Sequence, residues 1–248
     1  MKSRFISRER RLSGIKNTGV QYIPGHTEPL IDLIIDQYLP KDGGKILDLG
    51  GGGLRFAIPV ASLNYKVTVV DLDPTGLDLN LIYSRMEENG CLEFPNFRLI
   101  SKNIKLCVDD VFNFLDVSKV NYSLITAFRL LHFFNINEVD TFFKLLEKRI
   151  MNDGKIVIST LSPFEENNET YNEVFENTLS IKDNIFYRKF NRSSGAKKLR
   201  KEQNLGHSIH LFTENYLKSI AERNGFKMIT GNLPSTRIAR GYVLTKKF

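Results

Sequence analysis

The chain predicts an α/β fold: a mostly parallel sheet covered by helices on both faces, interrupted by one insertion. Three observations carry this. Lys45-Ile-Leu-Asp48-Leu-Gly50-Gly-Gly52-Gly-Leu54, followed by Val67-Thr-Val-Val-Asp71, reads as strand, glycine turn, helix, strand and terminal acid. That is half of a nucleotide-binding unit. Short apolar runs then alternate with helical patterns as far as residue 161 and again from 212, whereas residues 162–211 break the rhythm.

Residues 1–26 are polar, basic and aperiodic, and read as a tail or lid. A helix is expected from Thr27 as N-cap, with Pro29 in its first turn. Leu30, Ile31, Ile34, Ile35 and Tyr38 form its apolar face. Pro40 and Gly43-Gly44 end it. Ile46, Leu47 and Leu49 are a strand covered on both faces. The glycines turn into a helix over about Leu54–Leu63, and Val67–Val70 is the next strand. Pro74 opens a helix over about 75–89, stopped by Gly90. Phe97–Ile100 and Ile104–Val108 read as strand material, and Ser123–Ala127 as another strand. Ile136, Val139, Phe142, Phe143, Leu146 and Ile150 mark an amphipathic helix over 135–150. Asn152-Asp-Gly154 turns the chain into a strand at Lys155–Thr160. Thr213 is an N-cap for a helix closed near Asn224 by Gly225. Phe226–Thr230 and Tyr242–Lys246 supply the last two strands.

Two cofactor classes fit the glycine loop. A dinucleotide fingerprint needs a third glycine so that the helix packs close to the pyrophosphate. Counting from Gly50 and Gly52, that place holds Arg55, which disfavours a dinucleotide. The acid followed by x-G-x-G, matched by Asp48, Gly50 and Gly52, resembles the first motif of the class I S-adenosylmethionine (SAM)-dependent methyltransferases. Leu54 stands where that motif usually carries a third glycine. The resemblance covers about residues 40–248.

It implies a Rossmann-like seven-stranded sheet, with the last strand antiparallel and inserted between the fifth and sixth. It also implies a division into an N-terminal lid and helix (1–40), a SAM-binding core (41–161 and 212–248) and a substrate cap (162–211). By resemblance Asp48 orients the loop and the methionine end of the cofactor, and Gly50, Gly51 and Gly52 pack against it. Asp71, 21 positions after Gly50, holds the ribose. Leu72 borders the adenine. Asp110 and Val111, with Asp109 as the near alternative, meet its amino group and ring, while capping a helix is the competing role for Asp110.

The turn Ala127-Phe-Arg129-Leu-Leu-His132 leaves the fourth strand and should face the methyl donor. Arg129 is a candidate for the methionine carboxylate or a substrate anion. The turn lacks the Asn/Asp-Pro-Pro-aromatic tetrapeptide of enzymes that methylate base amino groups. His132 and His210 are the candidate general bases, because an unshifted imidazole titrates near neutrality. His207 and His210, an odd number apart, cannot share a face of an extended segment, so a two-histidine metal site is not expected. No metal is assigned. Tyr22 and His26 are candidates for closing over the cofactor.

At 248 residues the chain holds one substantial α/β domain plus a cap. No apolar run is long enough to span a membrane, and the basic N-terminus lacks the apolar core of a secretory signal. Cys91 and Cys107 lack metal-type spacing, so free thiols and a cytoplasmic location are expected. The net charge of +7 is uneven: residues 1–16 carry +5 and residues 188–201 carry +7, which leaves the remainder acidic. The resemblance places both basic segments at the border of the substrate mouth, where they would favour anionic acceptors or RNA. The leading expectation is methyl transfer to an O or N atom of a small, anionic molecule. The alternatives are an RNA or protein methyltransferase, or a SAM-binding protein without activity.

Overall fold

In this computed structural model the described residues are 28–88, 97–161, 179–182, 185–189, 208–236 and 239–247. Ten strands are described: β1 (Ile46–Leu49), β2 (Val67–Asp71), β3 (Ile104–Val108), β4 (Tyr122–Phe128), β5 (Ile150–Leu161), β6 (Leu179–Lys182), β7 (Ile185–Lys189), β8 (Ser208–Leu211), β9 (Phe226–Thr236) and β10 (Ala239–Lys246). Seven of them form one sheet in the order β3-β2-β1-β4-β5-β10-β9. β1 to β5 run parallel, while β10 lies antiparallel between β5 and β9. This is the expected arrangement of a seven-stranded sheet with its last strand reversed.

Side chains of successive strand residues leave opposite faces of a sheet, and both faces here are apolar and covered. Leu47, Leu49, Ile125, Ile156, Ile158 and Tyr242 point to one face. There they meet helices α5 (Val111–Val117), α6 (Ile136–Arg149) and α7 (Glu214–Arg223). Ile46, Val67, Val69, Leu124, Val157 and Val243 point to the other. That face is covered by α1 (Pro29–Gln37), α2 (Ala57–Ser62), α3 (Leu79–Glu88) and α4 (Phe97–Asn103). On the first face Phe142 stands at the centre of an aromatic chain, with ring centroids 5.3 Å from Phe134, 6.2 Å from Phe112 and 6.2 Å from Phe143.

The helix ends follow local chemistry. Asn135 and Glu138 close a capping box at α6. Thr213 caps α7 through the amide of Tyr216, and Gly225, at φ +83°, ends it. Several boundaries differ from the sequence expectation. The N-cap of α1 is Glu28 rather than Thr27, which lies outside the described residues; Pro29 takes the first helical position as expected. Residues 97–103 are helical, not extended, with Ile100 buried and Arg98, Ser101 and Lys102 exposed. The strand starts at Ile104, where its parallel register with Val67 begins. Asn103 fixes the junction by donating to the carbonyl of Ala61 (3.1 Å) and to Asn64 Oδ1 (3.1 Å). Pro74–Leu77 is a 3₁₀ turn before α3. The turn expected at Asn152–Gly154 is a bulge inside β5: Tyr122 pairs with Ile150 but Leu124 with Lys155.

The insertion contributes a three-stranded antiparallel sheet, β6-β7-β8. Its neck is closed, because the amide of Phe212 donates to the carbonyl of Leu161 at 2.9 Å. The +7 segment lies mostly outside the described residues, as do Tyr22, His26, Cys91 and His207, whereas Cys107 is a half-buried free thiol.

Phe142→Ala removes the ring that joins α5, α6 and the β4 turn. A loss of about 3–5 kcal/mol is expected in denaturant unfolding, with the slope unchanged.

Candidate active site

Four strands deliver chemistry to one end of the sheet, the carboxyl edge where open α/β sheets hold ligands. Asp48 closes in on this edge from β1. It is fully buried and accepts a 2.7 Å hydrogen bond from Thr126 Oγ1 on the neighbouring β4. Burial pushes its carboxyl up from 3.8 to about 7, against the pull of the Thr126 hydroxyl and the nearby positive charge of Arg55, with Asp71 adding a smaller push upward.

The glycine loop then wraps the two acids. Gly50, at φ +68°, donates its amide to the carbonyl of Val70 at 2.8 Å. A Cβ on Gly51 would lie 2.5 Å from Asp48 Oδ2 and 2.5 Å from Val69 Cγ1; one on Gly52 would lie 2.9 Å from Asp71 Oδ2. No side chain fits at Gly51 without displacing its neighbours, so bare backbone forms the loop. Asp71 ends β2 and holds the loop by two bonds, from the amide of Gly52 to Oδ2 (2.8 Å) and from the amide of Asp73 to Oδ1 (2.9 Å). Burial raises its pKa, and those two amides oppose the rise.

Leu54 adopts φ +54° and is fully buried. The left-handed backbone required here is one that glycine takes freely and leucine does not. The place where the motif ordinarily has its third glycine therefore keeps the glycine conformation, and the leucine side chain adds to the core.

Beside the loop, the exit from β4 is strained as well. Arg129 has φ +51°, and its amide is held by both the carbonyl (2.8 Å) and Oγ (3.1 Å) of Ser159 on β5. Leu130 approaches Gly50 so closely that a Cβ there would meet Leu130 Cδ1 at 3.0 Å. His132 follows in a 3₁₀ turn, buried, with its ring 4.1 Å from that of Phe133. His210 on β8 reaches the same turn: Nδ1 lies 3.2 Å from the carbonyl oxygen of Phe134. A carbonyl can only accept, so Nδ1 carries the hydrogen and the neutral ring has its lone pair on Nε2. Burial lowers the His210 pKa to about 4, so the ring stays neutral near pH 7.

At the end of β3, Asp110 caps α5, its Oδ1 accepting from the amides of Phe112 (2.8 Å) and Asn113 (3.3 Å). Asp109 accepts from the amide of Asp110 and from Asn113 Nδ2. Its own amide bonds the carbonyl of Asp71 at 3.1 Å. Val111, the first residue of α5, is buried, whereas Leu72 and Val108 are 45% and 59% exposed at the strand ends. The structure thus gathers Asp48, Gly50–Gly52, Asp71, Asp109, Asp110 and the Arg129–His132 turn at one edge.

Sequence reasoning missed the partners of these groups: Glu28, Thr126, Ser159 and Ser235. In the sequence Arg55 stands out only as a side chain at the place of a fingerprint glycine. It is almost completely buried and ion-paired with Glu28 at the head of α1, and Ser235 of β9 donates to the same carboxylate. No sequence pattern announces such pairs, since they join segments as far as 207 residues apart.

Among the described residues there is no cluster of three or more metal-ligating side chains, and no helix is long and apolar enough to cross a membrane.

The sequence family described as "Methyltransferase domain" matches residues 25–230. A search of curated proteins finds no match. Many solved structures share the fold. The glycopeptide N-methyltransferase MtfA complexed with S-adenosyl-L-homocysteine (SAH) superposes with a TM-score of 0.61 at 11% identity, over 91% of this chain and 92% of that one. Magnesium protoporphyrin IX methyltransferase from Synechocystis PCC 6803 with bound SAH gives 0.52 at 16% identity, over 88% and 80%. A TehB-like SAM-dependent methyltransferase from Corynebacterium glutamicum gives 0.51 at 17% identity, over 90% of each chain. At such identities these likenesses speak for the fold, and the family match for the lineage: the chain belongs to the methyltransferase-domain family.

Proposed function

We propose that this chain transfers a methyl group from SAM to an O or N atom of a small, anionic acceptor. The observation that carries the donor half is the paired arrangement at the carboxyl edge: a buried carboxylate, Asp48, and a half-buried one, Asp71, wrapped by a loop that admits no side chain at Gly51. Buried carboxylates suit a ligand with an ammonium group at one end and ribose hydroxyls in its middle. SAM supplies an electrophilic methyl on a sulfonium, and displacement there is in line.

The protein's share of that reaction is positional. Asp48 takes the methionine end. Asp71, already committed to Gly52 and Asp73 through one lone pair on each oxygen, has further lone pairs for the ribose. Exposed Leu72 and Val108 flank the adenine, with the second oxygen of Asp110 or of Asp109 reading its amino group. Val111 supports this surface from within the core. The Arg129–His132 turn holds the acceptor about 3 Å from the methyl carbon, where alignment supplies most of the acceleration. His132 and His210 are the candidate bases for an acceptor that must lose a proton; burial, which lowers the His210 pKa to about 4, makes His210 the weaker of the two.

The acceptor half rests on organisation. About fifty residues, 162–211, are inserted after β5 and serve as the cap, and His210 of β8 within them reaches the β4 turn. The basic segments 1–16 and 188–201 draw anions to the mouth. Those segments also favour RNA as a second reading, which bulk-RNA binding at physiological salt would distinguish.

Calorimetry with SAM and SAH tests the donor. Binding of both is expected, and absence of heat for either overturns the reading. Asp71→Ala should weaken SAH by roughly 10- to 100-fold, since it removes the ribose acceptor and frees the amide of Gly52. Asp48→Asn should separate stability from function. The Asp48 carboxyl has its proton held more tightly in the folded chain, near 7, than at the ordinary 3.8. Its contribution to stability is therefore full below the lower value and lost as pH rises through the higher, after which ionisation costs roughly 4 kcal/mol. The asparagine variant should melt several degrees higher than wild type at about pH 8, with the difference vanishing near pH 4, while SAH affinity falls. Differential scanning fluorimetry across pH checks the first part, calorimetry the second.

A further inference from the structure

Two residues of the donor edge carry left-handed backbone without being glycine, Leu54 at φ +54° and Arg129 at φ +51°. One side chain links the two places. Arg55 follows Leu54 directly, and its Cζ stands 6.0 Å from the ring centroid of Phe128, the residue before Arg129. The Arg55 side chain is 10% exposed, and its Nη1 pairs with Glu28, whose side chain is 1% exposed. Glu28 is fixed in turn. Its other oxygen accepts the hydroxyl hydrogen of buried Ser235 on β9, and its carbonyl accepts the amides of Ile31 (2.7 Å) and Asp32 (3.0 Å) at the start of α1. That helix is seated on the sheet, since a Cβ on Gly241 of β10 would lie 2.7 Å from Leu30 Cδ1. The end of the glycine loop is thus clamped from outside. Within the loop, the amide of Gly53 donates to the carbonyl of Gly76 (3.0 Å) and that of Leu54 to the carbonyl of Gly51 (2.9 Å).

We propose that Arg55, clamped by Glu28 and Ser235, is a positioning residue for the donor: the buried ion pair holds the chain in the left-handed turn at Leu54 that a glycine would take unaided. The inference rests on the donor reading given above and adds to it residues that need not touch the cofactor. Left-handed backbone is disfavoured for leucine and open to glycine. Without the clamp, the ligand-free loop spends part of its time in ordinary backbone, and a donor that needs the loop's shape must restore it on binding. Removing one partner of a buried pair also weakens the fold, so lost stability alone does not reveal positioning. Position 54 separates the two roles. With glycine there the turn holds without help, and affinity no longer depends on the clamp. A clamp that served only the fold would act alike with either residue at 54.

The experiment is a double-mutant cycle of Glu28→Gln and Leu54→Gly, read by calorimetry of SAH binding to the full chain. Glutamine keeps an acceptor for Ser235 and removes the charge that holds Arg55. Glu28→Gln alone should weaken SAH by roughly 5- to 30-fold, the range to which one disfavoured left-handed residue corresponds. In the Leu54→Gly background the same change should weaken it by less than about threefold. An equal loss in both backgrounds, or no loss in the first with the fold intact, overturns the proposal. Hydrogen exchange in ligand-free Glu28→Gln gives a readout that needs no ligand. Protection of the Gly53 and Leu54 amides should fall further than that of the β4 amides; an equal fall, or none, overturns the proposal. That measurement decides if Leu54→Gly fails to fold, and Ser235→Ala, which loosens Glu28 but keeps the ion pair, replaces Glu28→Gln if that variant fails. If the unmodified protein binds no SAH, the donor reading itself has failed, and the exchange result still shows separately whether the clamp holds the loop.

Discussion

The hydrogen bond from Thr126 to Asp48 is the contact around which the carboxyl edge is organised. A carboxylate buried beneath a sheet is unfavourable unless it is bonded and charge-compensated. Here one hydroxyl and one distant guanidinium do this only in part, and the acid is left near the middle of its titration. The loop that follows must pass this group without a side chain at Gly51, while Gly50 is bounded by Leu130 and Gly52 by Asp71. The next acid, Asp71, must then fasten the far side of the same loop. Loop, second strand and the turn after β4 are consequences of placing that single carboxylate.

Two non-glycine residues accept left-handed backbone at this edge, Leu54 and Arg129. Such conformations are disfavoured by about 1–2 kcal/mol each and persist where the surroundings over-determine them. Leu54 is over-determined by burial and Arg129 by the paired acceptors of Ser159. Their coincidence with the glycine loop fits a site whose main-chain path matters more than its local comfort.

Most of the fold was legible because period and punctuation agreed. β1, β2, β4, α6 and α7 combine apolar runs with caps, and Thr213 and Gly225 act as the sequence suggested. The errors fall where two periods compete. Phe97-Arg-Leu-Ile is as apolar as a strand, yet alternation and helical spacing cannot be told apart over four residues, and only the pairing of Ile104 with Val67 decides. At the site, Asp48, the glycines and Asp71 were readable because their roles lie in adjacent segments. Thr126, Ser159, Glu28 and Ser235 were not, because a serine or glutamate within a strand or before a helix carries no signal of which distant atom it meets. Arg55 shows the limit most clearly: the residue that argues against one cofactor class by its size is the one that ion-pairs with buried Glu28.

The bonded neck at Leu161 and Phe212 has an evolutionary consequence. The segment between them begins and ends at nearly the same point, so the core sheet is continuous whatever the excursion contains. Closing a longer or shorter loop at such a point changes the entropy only slowly with length. The content and length of this excursion can therefore change while the sheet on either side of it keeps its path.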